Sequence, residues 1–262
     1  MEYAVIIIVA LIVSTLTLFS GFGLGTMLMP VFALFFPIEV AIAATAIVHL
    51  ANHLFKVALI GKRANFGIVA RFAIPAAIFA ALGAYLLASF SQIPPLGSYS
   101  ILGRECEVSI IKLMIAMLIA VFAIFDLLPK LGKISFGRKW IPLGGMLSGF
   151  FGGLSGHQGA LRTVFLIKAV KEKEAFIGTV VVSAVVVDIT RLIVYGASFF
   201  SRHLVSVESG GLPGLVLAGI LSAWLGSFIG VRLIKKVTMK AIQTVVGILL
   251  LLVAFGLGTG LI

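Results

Sequence analysis

Four polar side chains, His49, Asn52, His53 and Lys56, interrupt an apolar stretch at steps of +3, +4 and +7. That spacing places them on one face of a helix. A polar stripe on an apolar helix faces a cavity or another polar group, not lipid. Two imidazoles there could carry protons and couple the site to a proton gradient. The plainer alternative has Lys56 snorkelling and the others joining helices by hydrogen bonds. His49 and His53 also stand at i, i+4, but the glutamate of an HExxH zinc site and an evident third ligand are missing, so no metal is expected.

A second group lies in Gly-rich sequence. SGFGLGTMLMP at 20–30 and SGFFGGLSGHQGALRT at 148–163 sit inside apolar segments, 3–36 and 140–170, that are too long for one membrane helix. Broken helix at bilayer depth is tolerated where the freed backbone lines a cavity or is buried in protein. Helices starting near Gly25-Thr26 and Gly159-Ala160 would aim N–H groups and a positive dipole end at an anion. His157 and Gln158 sit at the second break. Arg162, one turn on, offers a planar fork of charged donors. The competing readings are that the glycines only permit close packing and that Arg162 snorkels toward the surface near Lys168. Asp188 and Arg191, with Tyr195 beyond, form either a self-neutralising pair on one helix or, through Asp188, a protonatable coupling site. Asp126 falls near a span end and reads as interfacial.

The elements that must position these groups are membrane helices. Of 262 residues, 61% are hydrophobic and 11% charged, with mean hydropathy +1.24. A water-soluble globule needs a more polar surface, and no stretch is long enough for a soluble domain. The formal charge of +11 sits at span ends, so nucleic acid is not an expected partner; the lipid bilayer is. The apolar run from Tyr3 has no basic residue before it and no cleavage signal, so it is expected to be a retained span. The single cysteine, Cys106, excludes an intrachain disulfide and is expected in a loop without an activating neighbour. Trp140 is expected as an interface anchor and Trp224 as a packing residue.

Single spans are expected near 40–60, 67–90, 110–128, 175–199, 212–231 and 241–260. Fourteen of the 20 Lys and Arg fall in four clusters, around 62–71, 130–139, 168–173 and 232–240. The positive-inside rule puts these on the cytoplasmic face of the cell membrane. Both ends of 140–170 are then cytoplasmic, so that segment is expected to enter and return as a Gly-broken hairpin. By analogy 3–36 does the same, leaving both termini outside. The halves, 1–128 and 129–262, align at an offset of 134: Gly25 falls on Gly159, Val31 on Phe165, Ala41 on Ala175 and Thr45 on Thr179. The expected fold is an all-α polytopic membrane protein of two inverted repeats with about five helical passes each, the arrangement that underlies alternating access.

The pattern resembles the sulfite exporter TauE/SafE family. The resemblance rests on GFGLGTMLMPVFALFFPIEVAIAATAIVHLANH and GGLSGHQGALRTVFLIKAVKEKEAFIGTVVVSAVVVD: a Gly-rich break, a short apolar helix, a turn, and a span of small residues with polar insertions. Met27-Leu28-Met29 depart from the glycine-richer pattern of the family's repeats. The resemblance implies secondary transport, export by preference, of a small sulfur-containing anion such as sulfite, sulfoacetate or another organosulfonate. On that reading Gly25, Thr26, His49, Asn52, His53, Lys56, His157, Gln158, Gly159, Arg162 and Arg191 bind substrate, and His49, His53 and Asp188 handle protons. No cofactor is expected, since no nucleotide-binding motif is present. A scaffold without transport and a membrane-embedded enzyme are the alternatives; neither GxSxG nor HExxH is present for the latter. The sequence leaves homo-oligomerisation open.

Overall fold

A computed structural model describes residues 2–17, 24–101, 104–128, 135–200, 211–233 and 239–261. Among them run ten α-helices: α1 (Glu2–Thr17), α2 (Leu24–Ala33), α3 (Ile38–Ile60), α4 (Phe66–Phe90), α5 (Ile110–Leu127), α6 (Ile141–Ser155), α7 (Gly159–Leu166), α8 (Lys173–Tyr195), α9 (Leu212–Leu233) and α10 (Met239–Thr259). Four of the helical stretches, beginning at Ile38, Phe66, Lys173 and Leu212, are long and apolar enough to cross a membrane, and α1, α5 and α10 contain shorter apolar segments. The protein is a helical multi-pass membrane protein.

Local sequence sets several boundaries. Pro37 precedes α3. The Asn65 side chain caps α4 by accepting the Ile68 N–H at 3.1 Å, and Ser109 caps α5 through the Lys112 N–H. Residues 91–109 are not all loop: β1 (Gly97–Ile101) and β2 (Arg104–Val108) pair antiparallel. Cys106 therefore lies on a strand and is buried, because its side chain points inward on a two-residue period.

Both long segments turn back. Phe165, near the end of α7, packs against Gly144 at the start of α6, and Val164 accepts a hydrogen bond from the Phe136 N–H, so α6 and α7 form a hairpin. In the first half, α1 descends beside α9 until Ser14 donates to the Ala223 carbonyl at 2.7 Å. Gly25 of α2 lies beside His49 in mid-span, and α2 ends four residues before α3 begins, so it runs back.

The second Gly-rich stretch is less broken than its composition suggests. α6 runs unbroken through Gly144, Gly145, Gly149, Gly152 and Gly153, and the break is confined to Gly156–Gln158. Gly145, Gly149 and Gly153 lie directly on the Phe72, Ala76 and Ala80 carbonyls of α4, so these three are packing glycines. Gly156 is the breaking one: its φ of +83° is left-handed, and its N–H still closes on the Gly152 carbonyl. The first break, at 18–23, lies outside the described residues.

The packing crosses between halves. α4 lies parallel to α6, and α1 lies parallel to α9 with Gly226 and Gly230 against the Leu11 and Thr15 carbonyls. α3 and α8 run antiparallel, Gly178 against Ile60 at one end and His49 against Asp188 farther along.

Candidate functional site

The α3 stripe and the α8 pair meet at one carboxylate. His49 Nδ1 is 2.8 Å and His53 Nδ1 3.0 Å from Asp188 Oδ2. Gln158 Nε2 donates to Asp188 Oδ1 at 2.8 Å, and Arg191 reaches the same oxygen from Nη2 at 2.8 Å and Nε at 3.1 Å. The hub therefore joins α3, the α6–α7 break and α8. Asp188 and Arg191 are both 0% exposed. Removal from water is costly for such groups, and these hydrogen bonds offset it. Arg191 Nη1 also donates to the Gly152 carbonyl at 3.3 Å, and the Tyr195 hydroxyl donates to the Gly153 carbonyl. The self-neutralising Asp188–Arg191 pair is present, and it is also the centre of a larger network.

Arg162 does not snorkel. It is 0% exposed, and its Nη1 donates to Gln158 Oε1 at 3.1 Å, so Gln158 links Arg162 to Asp188 through a neutral amide. The Ser148 hydroxyl anchors that turn by donating to the Gln158 carbonyl at 2.9 Å. His157 stacks on Phe122 with planes 5° apart. Its Nδ1 donates to the Ser155 carbonyl at 3.0 Å, and its buried Nε2 has no partner. Lys56 is buried too, which sets aside snorkelling there.

Gly25, near the start of α2, faces the α6–α7 break beside this hub. A Cβ built on Gly25 would come within 3.4 Å of His49 Cδ2 and 3.6 Å of both His49 Nε2 and the Gly156 carbonyl oxygen. Gly159 opens α7 beside Gln158. Thr26 lies in α2; its side chain, like that of Asp126, is outside the described residues. Trp140 is 42% exposed, while Trp224 stacks on Phe55 and donates to the Ala51 carbonyl at 3.0 Å.

The third potential metal ligand that the sequence lacked is supplied by folding: atoms of His49, His53 and Asp188 lie within 4.8 Å of one another. They already bond each other, however, and Arg191, Arg162 and Lys56 crowd the same interior. A dication would add to that positive charge, so the cluster is better described as a hydrogen-bonded hub.

Sequence reasoning missed Ser227, whose hydroxyl donates to Asn52 Oδ1 at 2.7 Å, and Ser148. Ser227 adjoins Gly226, whose close packing on α1 carries it into the core; a small polar residue beside such a glycine was the available signal. It also missed Thr45 as a polar member of the stripe. Thr45 is one turn before His49 and buried, and its hydroxyl has no partner.

Described members of three basic clusters gather at one end of the bundle, while Lys130, Lys133, Lys235 and Lys236 lie outside the described residues. Arg63 pairs with Glu174 at 3.0 Å, Arg138 donates to the Ala169 carbonyl at 3.2 Å, and Lys168 to the Ser135 carbonyl at 3.3 Å.

Comparison with known proteins agrees with a helical membrane fold. No curated protein and no solved structure gives a significant match. The profile of the family described as "Sulfite exporter TauE/SafE" matches residues 6–257, nearly the whole chain. The chain belongs to the TauE/SafE sulfite exporter family, a family of membrane transporters and not of enzymes.

Proposed function

We propose that this protein is a secondary transporter that exports small sulfur-containing anions, among them sulfite and organosulfonates such as sulfoacetate. The observation that carries the reading is a buried polar hub at the α6–α7 break, with Gly25 of α2 beside it. Among the described residues the buried ionic groups are three cations (Lys56, Arg162 and Arg191) and one acid, Asp188. Buried charge at bilayer depth marks a substrate or ion pathway, and surplus positive charge suits an anion. Gly25, Thr26, His49, Asn52, His53, Lys56, His157, Gln158, Gly159, Arg162 and Arg191 line or support that pathway.

Transport would proceed by alternating access between inverted repeats, residues 1–128 and 129–262. Support comes from the reciprocal packing, α6 on α4 and α1 on α9, and from α3 and α8 running antiparallel at the centre. The gathered basic clusters would mark the cytoplasmic end in the cell membrane, with both termini outside.

Coupling to protons would use the hub. With Asp188 ionised, each imidazole donates its Nδ1–H to Oδ2, and each Nε2 is an acceptor that repels an anion. A proton added at His49 Nε2 turns that edge, beside Gly25 and the Gly156 carbonyl, into a donor. An anion and a proton would then occupy the site together, the hub moving between two charge states as the repeats rock.

The test is flux of labelled sulfite and sulfoacetate in vesicles containing the purified protein, with and without a pH gradient. Wild type should pass at least one of them in response to the gradient, and Arg162→Ala and His49→Ala should fall to background. Background flux for every anion in wild type would overturn the transporter reading.

A further inference from the structure

The basic end of the bundle carries charge that the fold does not consume. Two segments meet there: 135–140, which leads into α6, and 164–171, which closes α7. The Phe136 N–H donates to the Val164 carbonyl at 3.3 Å, and the Phe136 ring stacks on Phe165 with centroids 4.5 Å apart. Arg138 Nη2 donates to the Ala169 carbonyl at 3.2 Å, and Lys168 Nζ to the Ser135 carbonyl at 3.3 Å. Both bonds go to backbone carbonyls, so they fix the two cations in place without neutralising them. Lys139 Nζ lies 5.7 Å from the Trp140 ring centroid, and Lys171 is exposed two residues past Ala169. No Asp or Glu occurs anywhere from 135 to 171. Of the acids that follow, Glu174 is engaged by Arg63 at 3.0 Å.

An apolar track begins where this charge ends. Trp140, 42% exposed, stands at the start of α6, with Leu143, 38% exposed, at +3 and half-buried Leu147 at +7. That spacing lines the three on one helix face. The Phe136 ring packs against Trp140 with centroids 6.4 Å apart and holds the indole in place. A basic surface alone suits any anion, and exposed apolar residues on a membrane helix suit any lipid tail. Their junction at Lys139 and Trp140 suits one class of molecule, an anion carried on acyl chains. Indoles favour the headgroup level of a bilayer, and basic pockets beside membrane helices take anionic headgroups.

We propose that Arg138, Lys139, Lys168 and Lys171 bind the phosphate of an anionic phospholipid, whose chains lie along Trp140, Leu143 and Leu147. The bound lipid clamps the open end of the α6–α7 hairpin, whose other end carries Gln158 into the hub. The site stands apart from the transported anion, because none of these side chains belongs to the buried polar cluster.

The experiment uses the full-length protein purified in neutral detergent and titrated with phosphatidylglycerol or with phosphatidylcholine of matched chains. Bound lipid is counted by native mass spectrometry, and affinity is read by thermal stabilisation. Wild type should hold phosphatidylglycerol at least about tenfold more tightly, and added salt should erode the difference. A basic side chain near an anionic lipid is worth about fivefold. Lys139→Gln combined with Lys171→Gln should therefore remove most of the preference. The lipid-free melting temperature should stay at the wild-type value, since both side chains are exposed. Lys139→Arg should keep the preference, and Trp140→Ala should weaken both lipids alike. Equal wild-type affinity for the two lipids overturns the site. So does a double variant that discriminates as wild type does, or a Trp140→Ala protein that holds both lipids as wild type does. Displacement of phosphatidylglycerol by glycerol 3-phosphate at matching concentration would make this a site for free phosphates and also overturn it.

Discussion

α3 and α8 occupy matching places, each a 23-residue helix following a short helix and a turn, yet they use their polar residues in opposite ways. On α8 the polar side chains at the hub are saturated, though the buried Ser183 hydroxyl farther back on the helix has no partner. At the hub Asp188 meets four partners, and Arg191 bonds both that carboxylate and the Gly152 carbonyl. On α3 the stripe is half spent. His49 and His53 are engaged, while Thr45, one arm of Asn52 and Lys56 have nothing to bond. The difference teaches that α8 holds the interior together, and that α3 keeps donors in reserve for something that comes and goes. A fully satisfied network resists change; an unsatisfied one waits for a ligand.

The sharpest way to break that contrast is Asp188→Ala. It strips the counterion from Arg191 and the acceptor from two imidazoles, and orphaning a buried charge costs about 3–5 kcal/mol. The expected outcome is low folded yield or a large drop in melting temperature in detergent, together with loss of flux. A variant that melts like wild type would show that α8 is not the structural side of the pair.

Lys56→Met sharpens the contrast from the α3 side. Removing a buried charge that has no counterion should leave the melting temperature unchanged or raised in the absence of anion, while flux falls at least about tenfold. A drop in ligand-free stability would give Lys56 a structural partner and erase the distinction.

Part of this arrangement was legible in the sequence. The α3 stripe follows from helical spacing, as does the Asp188–Arg191 pair, because residues three or four apart share a face whatever the tertiary fold. Helices stand at all six expected single spans, four of them long and apolar enough to cross a membrane, because length and hydropathy are local properties. What joins the two groups was not. The bonds from His49 and His53 to Asp188 span 139 and 135 residues, and no local rule selects that partner among distant ones. The glycines of α6 show a second limit: composition cannot separate a glycine that packs, such as Gly149 on the Ala76 carbonyl, from one that breaks, such as Gly156. Only φ and the neighbouring backbone distinguish them.

Gly25 tests whether the α3 face looks onto open space at the break. A Cβ there would make ordinary contact with His49 and the Gly156 carbonyl, so Gly25→Ala should retain most flux. Gly25→Leu would fill the space between His49 and the break at Gly156 and should cut flux severely with little change in melting temperature. Equal behaviour of the two variants would mean that no substrate passes there.

The smallest effects come from a matched pair of threonines. Thr179 on α8 accepts the Asn65 N–H at 2.9 Å and donates to the Ala175 carbonyl at 2.7 Å. Thr45, its counterpart at an offset of 134, is as deeply buried and has no partner for its hydroxyl. Thr179→Val strands the Asn65 N–H where α4 begins, a loss of about 1–3 kcal/mol. Thr45→Val replaces an unsatisfied hydroxyl with a methyl of similar shape and should be neutral or stabilising by up to about 1 kcal/mol. Melting temperatures of the two variants without anion check the sign directly. If both lose stability alike, the polar groups of α3 hold the fold just as those of α8 do, and its donors are not held in reserve.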